Sequence, residues 1–217
     1  MFAGMILPLH FKHLKPGLGL AGLAGMLAPW IAVGLFWLWL RSAWAAILAY
    51  HALILLLPGR RLRDVARGWN TGLILASVLP CLLAGPLTWL LLPSMVRTPV
   101  GEWLASFGLS GSALYLMAPY YGLVHPVLEQ AHWGPLRARP GLALPASAMF
   151  AGYHGLVLST VMEPTWIAVC IVVLFASSLA WTAIQRKTGG LMVPVLSHAA
   201  AHAGMIVAAL LLASDRF

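Results

Sequence analysis

Charge is what this sequence has least of. Asp, Glu, Lys and Arg together make up 8% of its 217 residues, against about 25% in ordinary globular chains. Only five residues are acidic. A chain so poor in charge cannot clothe a water-facing surface, which excludes both a soluble enzyme and a disordered tail. Cysteine is scarce as well. Cys81 and Cys170 each lie inside an apolar run, with no CxxC or ligand-like spacing, so a disulfide scaffold is excluded and both read as packing residues. No internal repeat or low-complexity tract is present. A cleavable signal peptide is not expected, because residues 1–16 carry His10, Lys12, His13 and Lys15 after a short apolar start, without a small-residue cleavage site.

What the chain has in abundance is apolar surface: 61% of its residues are hydrophobic. A membrane-spanning helix needs about 20 mostly apolar residues. By that ruler seven segments qualify: 17–40, 42–57, 70–92, 109–124, 142–161, 165–184 and 191–213. The expected fold is an all-α, polytopic transmembrane bundle of about seven spans, forming a single domain over residues 1–217. Assigning alternate gaps to opposite sides separates the basic residues. One side collects Lys12, Lys15, Arg60, Arg61, Arg63, Arg67, Arg137, Arg139, Arg186 and Lys187, the other only Arg41, Arg97 and Arg216. The basic excess marks the cytoplasmic side, so the N-terminus is expected inside and the C-terminus outside. Trp37, Trp39, Trp69, Trp89, Trp103 and Trp166 fall near segment ends, as an aromatic belt would. Residues 98–107 are too polar to span and read as an outer interfacial helix or loop. With the net charge of +8 confined to short gaps, the expected partner is the lipid bilayer with its anionic headgroups, not nucleic acid.

Ionisable groups inside apolar segments are costly and mark function by default. Asp64, Glu102, Glu163 and Asp215 fall in gaps. Glu129 does not: it lies in the apolar stretch 123–133, at the cytoplasmic end of the fourth segment. His51 reads as a lone, hydrogen-bonded packing residue of the second segment, and His10 and His13 belong to the basic N-terminal stretch. The other histidines cluster late in the chain. His125, Glu129 and His132 are spaced i, i+4, i+7, so an unbroken helix presents them on one face, unless Pro126 starts a new helix with His125 just outside it. His154 lies deep in the fifth segment; His198 and His202 are i, i+4 in the seventh. A carboxylate among imidazoles suits two chemistries. It can be a general base acting on water, with imidazoles orienting the water and binding the developing oxyanion. It can also be a metal site, because His/Glu sets with one open position activate water on zinc.

Three stretches carry a family likeness. The first is Pro126-Val-Leu-Glu129-Gln130-Ala-His-Trp-Gly134, the second Phe150-Ala-Gly-Tyr-His154, the third His198-Ala-Ala-Ala-His202, with Arg186, Lys187, Thr188, Gly189, Gly190 and Pro194 leading into it. In order and spacing they resemble the CPBP (CAAX protease and bacteriocin-processing, or ABI) family of intramembrane endopeptidases. That family carries Glu-Glu-x3-Arg, Phe-x3-His and His-x3-Asn/Asp motifs on separate helices. The likeness covers residues 118–213. It implies that Glu129 and His154 activate water, that His198 and His202 orient and stabilise the oxyanion, and that the substrate is a membrane-associated or prenylated peptide. The family has been described as both glutamate-type and metal-dependent, so a divalent metal such as zinc on Glu129, His154, His198 and His202, with His125 and His132 as further ligands, is the cofactor alternative. A bacterial inner (plasma) membrane is the expected location.

The chain departs from the pattern at three positions. Gln130 stands for the second Glu, Gly134 for the Arg, and His202 for the final Asn/Asp. These departures keep two other readings open: a non-catalytic pseudoprotease that binds a membrane partner, and a histidine-rich metal-binding membrane protein. A serine reading on Gly108-Leu-Ser110-Gly111, a string shared with rhomboid proteases, is weaker, because small-xxx-small packing accounts for that string. If the motifs act together, Glu129, His154 and His198 should converge on one polar cavity.

Overall fold

The computed structural model describes residues 19–57 and 61–214, and every regular element among them is helical. Helix α1 (Leu20–Ala32) widens into a π-helical stretch at Val33–Trp39, and Ser42 caps α2 (Ala43–Leu56) by accepting the Ala45 N–H at 3.3 Å. A 3-10 turn at Leu62–Ala66 leads to α3 (Thr71–Leu82), capped by Asn70, and α4 (Ala84–Met95). Pro86 cannot donate to the Leu82 carbonyl, and the helix steps at Leu83 between α3 and α4. Short α5 (Val100–Ser106) follows, then α6 (Gly111–Pro119), a π-helical stretch at Tyr120–Val124 and α7 (His125–Ala138) in unbroken succession. The bundle closes with α8 (Ala143–Leu158), α9 (Pro164–Thr188) and α10 (Met192–Ser214). Gly189 ends α9 in the left-handed conformation, φ 70°.

Among the described residues four helices are long and apolar enough to cross a membrane: Leu20–Trp39, Thr71–Met95, Pro164–Thr188 and Met192–Ser214. They suggest an integral membrane protein in contact with lipid. Two further expected segments are shorter apolar helices, α2 and α8, and the fourth is the first part of a continuous helix over 111–138 that is not among the four. The basic N-terminal stretch with His10 and His13, together with Arg60, Asp215 and Arg216, falls outside the described residues.

The packing is inverted relative to a soluble domain. Leu75, Leu79, Leu83, Leu87 and Leu90 on α3–α4, and Val172 and Val173 on α9, are exposed. A set of polar residues from α2, α7, α8, α9 and α10 is buried alongside the apolar core. Helix α7 is the extreme case, burying His125, Glu129, Gln130, His132 and Arg137 together with Trp133. It packs against α2, α8, α9 and α10, so every face of it meets protein. The connections gather at two ends. At one, Arg97 N–H donates to Val161 O at 2.8 Å and Glu163 N–H to Met95 O at 3.0 Å. At the other, Leu191 N–H donates to Asp64 O at 2.8 Å, Met192 N–H to Arg67 O at 3.0 Å and Arg61 N–H to Ala131 O at 3.0 Å.

Several expectations need correction here. Arg137 is not a gap charge: it is fully buried. Trp37 is no belt residue but a core one, 8% exposed and stacked on Phe107 at 4.2 Å, and both Trp37 and Trp103 donate to Thr160 Oγ1. Within residues 98–107, Val100–Ser106 form a short helix that buries Val100 and Leu104 against the bundle and exposes Glu102, Ala105 and Ser106.

Candidate functional site

The polar centre forms where α7, α8 and α10 meet beside α2. Its first anchor is Glu129, which is fully buried. Tyr50 of α2 donates its O–H to Glu129 Oε1 at 2.9 Å, and Tyr153 of α8 donates to the same oxygen. Trp133 Nε1–H in turn donates to Tyr50 Oη at 2.9 Å, which holds that hydroxyl in place. The other carboxylate oxygen, Oε2, has no hydrogen-bond partner. His125 Nε2 lies 3.3 Å from it and His198 Nε2 3.7 Å. The carboxylate is thus asymmetric: one oxygen is saturated by phenols and the other keeps its lone pairs.

Two strings of side chains lead away from this oxygen. His125 Nδ1 meets His51 Nε2 at 3.0 Å, and His51 Nδ1 meets Tyr120 Oη at 2.7 Å. On the far side His198 Nε2 meets His202 Nε2 at 3.0 Å, and His202 Nδ1–H donates to the Tyr121 carbonyl at 3.3 Å. Rings of Tyr121, His125 and His202 stack on one another. Behind His198, Gln130 Nε2 contacts Nδ1 at 3.2 Å, and Arg137 donates to Gln130 Oε1 at 2.6 Å and to Ser178 Oγ at 2.8 Å. Phe150 and Trp181 lie beside the guanidinium, with ring centroids at 5.6 and 5.9 Å.

Of the residues expected in the site, Glu129, His125, His198 and His202 come together. His154 lies one residue beyond Tyr153, half-exposed, and donates Nδ1–H to the Phe150 carbonyl at 2.8 Å, leaving Nε2 as an acceptor. His132 does not join them: its Nε2 faces the Gly25 carbonyl of α1 at 3.0 Å. The i, i+4, i+7 face therefore splits, because α7 has a neighbour on that flank as well. Glu129, His125, His198 and His202 are all buried, so the centre is enclosed by protein.

Sequence reasoning passed over Tyr50, Tyr153 and Tyr120, took Arg137 for a gap charge, and took His51 for a lone packing residue, whereas its ring meets both His125 and Tyr120. A signal existed for Arg137: it lies seven residues after Gln130, two turns along the same helix face. The position aligned with the family's arginine, Gly134, is filled from outside the helix. A Cβ there would fall 2.6 Å from Leu191 Cδ2.

The spacing of the ligand-type atoms, 3.0–3.7 Å between neighbours, approaches the edge of a tetrahedron around an ion bound at about 2.0–2.1 Å. His198 Nε2 and His202 Nε2 lie 3.0 Å apart, within hydrogen-bond distance, and Glu129 Oε2 and His125 Nε2 are unpartnered. A catalytic zinc takes about three protein ligands. Among the described residues no set of three or more His, Cys, Asp or Glu is arranged to hold a metal ion. No family model, curated protein or solved structure matches this chain.

Proposed function

We propose that this chain is an intramembrane endopeptidase of the CPBP type, hydrolysing peptide bonds of a membrane-associated or prenylated substrate by a metal-free glutamate mechanism. The observation that carries the reading is the asymmetry of Glu129. Oε1 is held by two phenols, while Oε2 is unpartnered and flanked by His125 and His198. An acceptor so placed inside an apolar bundle suits general-base chemistry. A water on Oε2 attacks the peptide carbonyl carbon, and its proton passes to Glu129. The carbonyl oxygen becomes an oxyanion that an imidazole N–H can receive. The C–N bond then breaks and the proton moves from Glu129 to the leaving amine nitrogen. His154 Nε2, a free acceptor on the partly buried ring next to Tyr153, is the family-motif position that would orient the attacking water.

The same reading places the chain in a bacterial inner membrane with seven crossings, N-terminus inside and C-terminus outside. The gathering of alternate connections at two ends supports this alternation.

The test is cleavage of a fluorogenic prenylated peptide by the protein in liposomes. Glu129→Gln should lower the rate by about 10²-fold or more, and a chelator should leave the wild-type rate unchanged. Equal rates for both proteins would overturn the proposal, and chelator-sensitive cleavage would return the site to metal chemistry. The complete burial of Glu129 favours one other reading, a non-catalytic membrane interaction protein. Absence of Glu129-dependent cleavage in every lipid composition tried would select it.

A further inference from the structure

Gln130 and Arg137 are the members of the buried cluster for which the proposed chemistry has no use. Both are fully buried. An arginine has five donors and no acceptor, so whichever atom of Gln130 faces Arg137 must be the amide oxygen. The 2.6 Å contact then turns the amide NH2 toward His198 Nδ1, 3.2 Å away. An NH2 group can only donate, so Nδ1 must carry a lone pair. That excludes both the Nδ1–H tautomer and the doubly protonated ring, and the proton of His198 lies on Nε2. The next contact inherits the same polarity. His198 Nε2–H donates to His202 Nε2 at 3.0 Å, and the proton of His202 sits on Nδ1, where the Tyr121 carbonyl accepts it.

We infer that Arg137 and Gln130 form a positioning pair that holds the proton of His198 on Nε2, so that His198, not His202, is the donor of the pair, its N–H bonded to His202 Nε2 at 3.0 Å with Glu129 Oε2 3.7 Å away. Use of that N–H on an oxyanion rests on the peptidase reading above; the position of the proton does not. The anchorage of Arg137 makes the polarity hard to reverse. Its Nη1 donates to Ser178 Oγ, Ser178 donates to Ser147 Oγ at 3.0 Å, and Phe150 and Trp181 lie beside the guanidinium. Turning Gln130 over would set N–H against N–H at full burial, where an unmade hydrogen bond is most costly.

The pair also decides which ligand chemistry the site accepts. A carboxylate at position 130 would accept from Arg137 and from His198 Nδ1–H alike. The proton would move to Nδ1, and His198 Nε2 would become a lone pair beside Glu129 Oε2 and His202 Nε2. Glu129 Oε2 and His125 Nε2 are the unpartnered ligand atoms of the site as it stands, and this one substitution would add His198 Nε2 and His202 Nε2 to them.

Nitrogen NMR of histidine-labelled protein in lipid nanodiscs tests this, with His198 assigned by its loss in His198→Gln. Wild type should show a lone-pair Nδ1 and a protonated Nε2. Gln130→Glu, which keeps the size of the side chain and pairs it with Arg137, should exchange the two signals and raise zinc affinity by about tenfold or more. A protonated Nδ1 in wild type overturns the inference without reference to any variant, so failure of Gln130→Glu to fold leaves it testable. An unchanged His198 spectrum in folded Gln130→Glu overturns it as well. The expected spectra without Glu129-dependent cleavage would remove the peptidase reading and leave the positioning pair standing. The opposite spectra with such cleavage would do the reverse.

Discussion

Arg137 Nη2 and Gln130 Oε1 lie 2.6 Å apart across two turns of α7, and neither side chain reaches the surface. This bond carries a buried cation into the polar centre. Leaving a buried polar group without its hydrogen-bond partner costs about 1–3 kcal/mol, and the loss of Arg137 strands the Gln130 amide oxygen. Arg137→Met should therefore lower the thermal unfolding midpoint markedly in detergent. Arg137→Lys, which keeps the charge but not the fork, should recover part of the loss. A wild-type midpoint in Arg137→Met would show that the guanidinium contributes nothing to stability.

The two phenols on Glu129 should behave differently when each is removed. Tyr153→Phe deletes one bond to Oε1. Tyr50→Phe deletes another and also strands Trp133 Nε1–H, which donates to the Tyr50 hydroxyl. A hydrogen bond to a charged group is worth roughly 1.5–3 kcal/mol, so each variant is destabilised, Tyr50→Phe the more. Double-mutant cycles with Glu129→Gln read the coupling directly. No coupling in either cycle would contradict the geometry.

Restoring the family's arginine at position 134 should harm the protein. Leu191 is fully buried, and a Cβ at Gly134 already falls 2.6 Å from its Cδ2 and 3.2 Å from Gln185 Oε1. Overpacking of this kind costs about 1–3 kcal/mol even for small insertions. Gly134→Ala should be destabilised within that range and Gly134→Arg beyond it, and Leu191→Ala should relieve the former. A Gly134→Arg protein as stable as wild type would mean that α7 and α10 separate more readily than their packing indicates.

Gly190 is tighter still, and here backbone is the obstacle. A Cβ would fall 2.2 Å from the Arg67 carbonyl carbon and oxygen, at the turn that sets the start of α10 and hence of His198. Gly190→Ala should force the 3-10 segment at Leu62–Ala66 away from α10. Hydrogen exchange would read this as faster exchange of the Leu191 and Met192 amides, which bond to Asp64 and Arg67. Unchanged protection would sink the prediction.

Seven crossings require the 61–67 loop and the C-terminus to lie on opposite sides of the membrane. Reporter fusions at those two places should give opposite signals, with the loop inside. The same side for both would refute the proposed topology.

Four of the expected segments, those of Leu20–Trp39, Thr71–Met95, Pro164–Thr188 and Met192–Ser214, were legible in the sequence because lipid imposes a length and polarity rule that no tertiary contact alters. Glu129, His198 and His202 were legible for the same reason: ionisable groups stand out against an apolar run. The rule gave no purchase on Arg137, which lies just past such a run, where charge is ordinarily free. Only the packing of α7 between α2, α8, α9 and α10 withdraws it from solvent. Nor could spacing along one helix say that His132 turns to Gly25, or that Tyr50, 79 residues before Glu129, saturates one of its oxygens. A helix surrounded on every side has no polar face to be read from periodicity. Which nitrogen carries a proton, and which oxygen keeps its lone pair, was decided by partners that only the folded bundle brings within 3 Å or so of each other.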